Sequence, residues 1–142
     1  MLKQLSLFLE NKPGRLAQVC RVMAQEGINI RALSIADSTD FGILRLIVQD
    51  PDLAEKKLKA KGFLVSITKV IGIKVPDQPG GLADALEKLE EEGISVEYVY
   101  AFLGKSEDKA MVILRPNDED RCLAAVQKHS MQIITAEEVL QN

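Results

Sequence analysis

The chain has no tryptophan, and its aromatic residues make up only 4% of 142 positions. It therefore lacks platforms on which bases stack. With 18 Lys and Arg against 21 Asp and Glu, a formal charge of -3, it also lacks a basic surface for phosphates, so nucleic acid is not an expected partner. No apolar run approaches the roughly eighteen residues of a membrane span. The opening stretch, MLKQLSLFLENKPG, is interrupted by Lys3, Gln4 and Ser6, and the expectation is a soluble cytoplasmic protein without a membrane partner.

The residues of catalysis are equally scarce. There are two cysteines, Cys20 and Cys122, far apart and outside any CxxC, which argues against a metal or redox site and for small core or half-buried side chains. The single histidine, His129, has no nearby Cys, His or paired carboxylate, and at a helix end it reads as a cap or a solvated side chain. No nucleophile with its base can be assembled, so no catalytic residue, no metal and no cofactor are expected, and the chain reads as a non-enzyme.

What the chain does have is a repeat. At an offset of 66, Pro13-Gly14 meets Pro79-Gly80, Leu16-Ala17 meets Leu82-Ala83, Gly27-Ile28 meets Gly93-Ile94, and Ile47 meets Ile113. Each Pro-Gly precedes an apolar stripe at helical spacing: Leu16, Val19, Cys20 and Met23 in one copy, Leu82, Ala85, Leu86 and Leu89 in the other. Gly27 and Gly93 fall where those helices should stop. INIRALSIAD with FGILRLIVQ, and ISVEYVYAFLG with KAMVILR, are β-rich runs on either side of the polar tips DSTD and KSED, the pattern of two hairpins. PDLAEKKLKAKG and NDEDRCLAAVQKH carry helix-start signals, Pro51 with Asp52 and Asn117 with Asp118, and FLVSITKVIGIKV and MQIITAEEVL close the copies as strands.

Each half is thus βαββαβ. Right-handed crossovers around a central hairpin give an α+β fold of two ferredoxin-like units, 1–69 and 70–142, each an antiparallel sheet with its helices on one face. FGILRLIVQ is apolar on both sides, Ile43 and Ile47 against Leu44, Leu46 and Val48, so the bare face calls for cover from the other copy or from another chain, and a homodimer is expected. TKVIGIKVPD passes from one copy to the next without a linker, which predicts a rigid junction.

The order of an apolar strand, N/D-x-P-G-x-L, a helix, G-I-N-I or G-I-S-V and a hairpin resembles the ACT domain, present twice over nearly the whole chain. The resemblance implies a small regulatory module of amino-acid metabolism that binds an amino acid at the loop between its first strand and first helix, at an interface between two domains. With no enzyme attached, it implies a free-standing sensor or a regulatory subunit acting on a separate catalytic protein.

The loop residues agree with this reading. Gly14 and Gly80 remove a β-carbon where the backbone turns sharply, or where a ligand or facing chain comes close, and Pro13 and Pro79 fix φ ahead of the helix. The helix N-terminus suits a carboxylate, so Arg15 and Leu16, with Gly81 and Leu82 in the second copy, join the candidate set. Asn11 and loop carbonyls can accept from an ammonium group, with Asn29 and Ile30 at the start of the second strand expected close by; Asp77 and Ser95 stand at those places in the second copy. In the ACT resemblance, Asn11 and Asn29 match positions that hold the ligand's backbone groups. The plainer alternative is that Asn11 and Asp77 cap helices and that the Asn29 amide has a partner within the protein.

Charge divides unevenly: residues 1–71 hold eleven Lys and Arg against seven Asp and Glu, and residues 72–142 hold seven against fourteen. Lys56, Lys57, Lys59 and Lys61 crowd one helix and Glu90, Glu91 and Glu92 end another, either as solvated faces or as surfaces for complementary packing. Three functions stand: an amino-acid-binding regulator; a subunit that grips and controls a catalytic partner, like the small subunit of acetohydroxyacid synthase, whose LLENxPGxL resembles SLFLENKPGRL; and a small enzyme, which the missing catalytic groups disfavour.

Overall fold

A computed structural model describes residues 1–37, 40–104 and 107–141. The element order is β1 (Leu2–Glu10), α1 (Arg15–Gln25), β2 (Ile30–Asp37), β3 (Phe41–Val48), α2 (Pro51–Ala60), β4 (Leu64–Pro76), α3 (Gly81–Glu91), β5 (Val96–Ala101), β6 (Lys109–Pro116), α4 (Glu119–Lys128), β7 (Gln132–Ile133) and α5 (Ala136–Gln141). The hairpin tips DSTD and KSED include Ser38, Thr39, Lys105 and Ser106, which lie outside the described residues. Two compact units form: the first holds Lys3–Thr68 and the last residues from Val139, the second Met1–Leu2 and Lys69–Glu138.

In the first unit the strands run β2-β3-β1-β4, with β3 antiparallel to both β1 and β2. Alternation sends Leu5, Leu7 and Leu9 of β1 and Leu44, Leu46 and Val48 of β3 to one face, where they meet Val19, Val22 and Met23 of α1 and Ala54 and Leu58 of α2. Each of these fully buried leucines contributes roughly 1.5–3 kcal/mol by leaving water. Both helices therefore cover a single face. The second unit repeats the plan in the order β5-β6-β4-β7, with Ile71, Ile73, Val112 and Leu114 packed against Ala85, Leu89, Cys122 and Val126. Both units are ferredoxin-like. No helix among the described residues is long and apolar enough to cross a membrane.

Four sequence expectations change. First, one offset does not serve the whole repeat: Leu5 pairs with Leu46 while Ile71 pairs with Leu114, so the offset of 66 at β1 and β4 becomes 68 at β3 and β6. Ile47 therefore matches Arg115, and not Ile113, because the second hairpin is two residues longer. Second, the final strand expected over MQIITAEEVL is only Gln132–Ile133, followed by α5. Thr135 Oγ1 accepts from Glu138 N at 3.2 Å, and Glu137 and Glu138 lie in the first turn, so a helix start displaces the strand. Third, Leu82 is 38% exposed, since α3 turns Gly81, Ala85 and Leu89 inward and leaves Leu82, Ala83 and Asp84 at the surface. Fourth, Glu92 is not a merely solvated charge: its carboxylate meets Lys128 Nζ at 2.7 Å and His129 Nε2 at 3.2 Å.

Candidate ligand site at the Pro-Gly loops

The repeated phrase folds as a type II turn. Arg15 N donates to Lys12 O at 3.3 Å and Gly81 N to Gln78 O at 3.0 Å, closing four-residue turns with proline second and glycine third. Gly14 and Gly80 take φ of 85° and 86°, with ψ of -9° in both, the values that the third position requires and that side-chain-bearing residues avoid. A β-carbon at either glycine would meet nothing of its own chain within 4 Å, so within the chain it is the turn that demands glycine.

Each of these glycines is also the N-cap of the helix that follows. Having no side chain, it leaves α1 and α3 without a side-chain cap. The other two helices of the repeat are capped conventionally, Asp50 accepting from Leu53 N and Asp118 from Arg121 N. Asn11 and Asp77 do not cap; their backbone N–H groups donate to Asp40 O and Asp108 O, both at 3.1 Å, and tie each loop to the neighbouring hairpin end. Leu16 and Ile30 are partly buried against the first core, whereas Asn11, Pro13, Asp77, Pro79 and Ser95 are exposed.

Asn29 is not close to Asn11 within one unit. Its carbonyl accepts from Gln49 N at 3.0 Å, at the end of the β2–β3 pair remote from Asp40, because α1 carries the chain back along the sheet before β2 begins. At about 3.3 Å per residue the eight-residue strand between them spans roughly 20–25 Å. Ser95 repeats this arrangement, its carbonyl accepting from Asn117 N at 2.9 Å and its N–H donating to Asn117 Oδ1 at 3.1 Å.

The family described as ACT domain pair matches residues 1–142. This chain belongs to that family. A protein from Bacteroides thetaiotaomicron, known from its crystal structure, is 45% identical, with 99% of this chain and 96% of that one covered and a TM-score of 0.92. The ligand-free regulatory subunit of aspartate kinase from Thermus thermophilus, 18% identical over 89% of this chain and 90% of its own, gives a TM-score of 0.66 and shares the fold. The acetolactate synthase small subunit of Buchnera aphidicola subsp. Baizongia pistaciae is 32% identical over 73 residues. That match covers 49% of this chain and 46% of the subunit, so the chain spans about half the length of that curated relative.

Beside each Pro-Gly loop the ACT pair has a cavity, and the two are lined by equivalent positions. In the first unit Glu10, Arg15, Phe41, Gly62 and Phe63 enclose about 240 Å³. In the second unit Pro76, Gly81, Lys109, Ser130 and Met131 take those places, and the volume is about 390 Å³. Sequence reading missed both, because Phe63 and Met131 align only once the 68-residue offset is applied. In the first cavity Glu10 meets Lys12 Nζ at 2.7 Å and Arg15 at 3.5 Å, and the Arg15 guanidinium lies 5.9 Å from the Phe63 ring centre. The Lys12 ammonium, and then Arg15, hold the Glu10 carboxyl below the usual carboxylate range. In the second unit Gly81 is pressed against the Pro76 carbonyl oxygen, which a β-carbon would strike.

Proposed function

We propose that this ACT pair is a cytoplasmic regulatory protein of amino-acid metabolism, that it is not itself an enzyme, and that it responds to a free amino acid held at the Pro-Gly loops. The observation that carries this is the contrast in helix starts: Asp50 and Asp118 close α2 and α4, whereas α1 and α3 begin at Gly14 and Gly80 with no side-chain acceptor. Such an N-terminus attracts the carboxylate that every amino acid carries. Asn11 and Asn29 are the proposed contacts to the ligand's backbone groups, joined by Arg15 in the first copy, with Asp77, Gly81 and Ser95 at those places in the second. Since Asn11 and Asn29 occupy opposite ends of the unit, we place the ligand between two chains of a homodimer, one chain supplying each asparagine.

A second reading has support of its own. Phe8, Phe41 and Leu64 are 58%, 51% and 71% exposed in the first unit, and half of the chain resembles a synthase small subunit. These favour a surface that grips a catalytic partner. Calorimetric titration with each of the twenty amino acids separates the readings. Saturable binding of one or a few supports the sensor; binding of none, with co-purification of a larger catalytic chain, gives the lead to the subunit reading.

A further inference from the structure

The two loop cavities differ in what fills them. In the first unit Arg15 stands between Glu10 and Phe63 and occupies the space beside the loop. In the second unit Gly81 leaves that space open, and the cleft continues along α3 past Asp84 and Ala85 to Lys88. Its floor is apolar: Val75 and Ala85 are each 5% exposed, and Met131 adjoins them. Three lysines and His129 border it, on different elements, and two of the four are already matched. Lys74 meets Glu138 at 3.2 Å, and the His129 ring lies 3.2 Å from Glu92. Among the described residues Lys88 and Lys109 form no ion pair, and Asp84 is the lining carboxylate, one helical turn nearer the loop than Lys88.

We propose that this cleft is a second ligand site, for a short aliphatic dicarboxylate. Lys88 on α3 and Lys109 at the start of β6 meet the two carboxylates, and the methylene chain lies on Val75, Ala85 and Met131. A bare inorganic anion makes no use of that floor, and a monocarboxylate leaves one lysine unmatched. Asp84 keeps negative charge away from the loop end and directs the ligand toward Lys88. The volume is at the small end of metabolite pockets, which suits a ligand of this length. The cleft shares Gly81 with the loop site proposed above, but its ligand is held by Lys88 and Lys109 and needs no ammonium group, so glutarate, which has none, tests it apart from the amino-acid titration.

The test is calorimetry on the full chain with glutarate, and with butyrate and inorganic phosphate for comparison. Glutarate is expected to bind saturably and more tightly than either. Lys88→Gln and Lys109→Gln are each expected to weaken it about tenfold, as for loss of one charge-assisted hydrogen bond, while Lys57→Gln on α2 leaves it unchanged. Absence of glutarate binding overturns the proposal, as does unaltered binding by the Lys88→Gln/Lys109→Gln double variant. Phosphate or butyrate binding as tightly as glutarate overturns the dicarboxylate assignment.

Discussion

At the scale of single residues, the same alignment position does different things in the two copies. Arg15 is a partly exposed side chain bridging Glu10 and Phe63, and Gly81 is a buried backbone turned against Pro76. Gly81→Ala should therefore cost about 1–3 kcal/mol, as overpacking does. Arg15→Ala loses only a surface pairing and should cost less than about 1 kcal/mol. Urea unfolding of the two variants tests this, and equal costs would show that the second loop relaxes freely. The cysteines divide in a similar way: burial raises the Cys122 thiol to about 11, while Cys20 is only half-buried. Iodoacetamide at pH 8 should modify Cys20 first and reach Cys122 on unfolding, as mass spectrometry would report. The sequence made Gly14 and Gly80 legible because a positive φ has few tenants. It could not announce Gly81's contact with Pro76, which depends on a backbone approach in space.

At the scale of elements, most of the fold was legible because local signals agree with tertiary ones. The start signals at Pro51 and Asp118, the stripe on α1 and the alternation of β1 and β3 all point the same way. The misses have local causes. β7 ends early because Thr135 starts α5, a T-A-E-E signal inside a run read as strand. The register drifted because a longer hairpin tip shifts everything after it. The end of α3 shows how one element is fastened to another. The Lys128 ammonium, and then the His129 ring, hold Glu92 below the usual carboxylate value, and Glu92 O accepts from Arg121 Nη2 at 2.8 Å. A carboxyl with a depressed folded-state pKa stabilises the fold above its unfolded value of about 4.5, and this is lost as pH falls through the folded value. The parent should therefore lose stability on acidification below about pH 4.5 more steeply than Glu92→Gln, in denaturant midpoints measured from pH 7 down to pH 3. Parallel curves would remove Glu92 from the acid response.

At the scale of the whole molecule, the candidate loop site was legible only in its residue types. The phrase N-x-P-G-x-L marks a helix start without a cap, but the reading that set Asn29 beside it overlooked the direction of α1. That helix returns the chain to the other end of the sheet, so Asn11 and Asn29 can hold one ligand only if two chains contribute. A symmetric dimer of this kind has two equivalent sites, each with Asn11 from one chain and Asn29 from the other. Asn11→Ala and Asn29→Ala should each abolish most of the ligand's stabilisation, which is about 2.7 kcal/mol at a hundred times its dissociation constant and appears as roughly 5–10 °C in melting temperature. Mixing the two variants gives the decisive measurement. In a mixed dimer one site carries both substitutions and the other carries neither. Random pairing after co-refolding in equal amounts makes about half of the dimers mixed, so about a quarter of the parent's binding capacity should return. Calorimetric stoichiometry reads that fraction directly. If the variants bind individually, or if the mixture recovers nothing while light scattering shows that it has paired, the site is not shared between chains and Asn29 belongs to the structure rather than to the ligand.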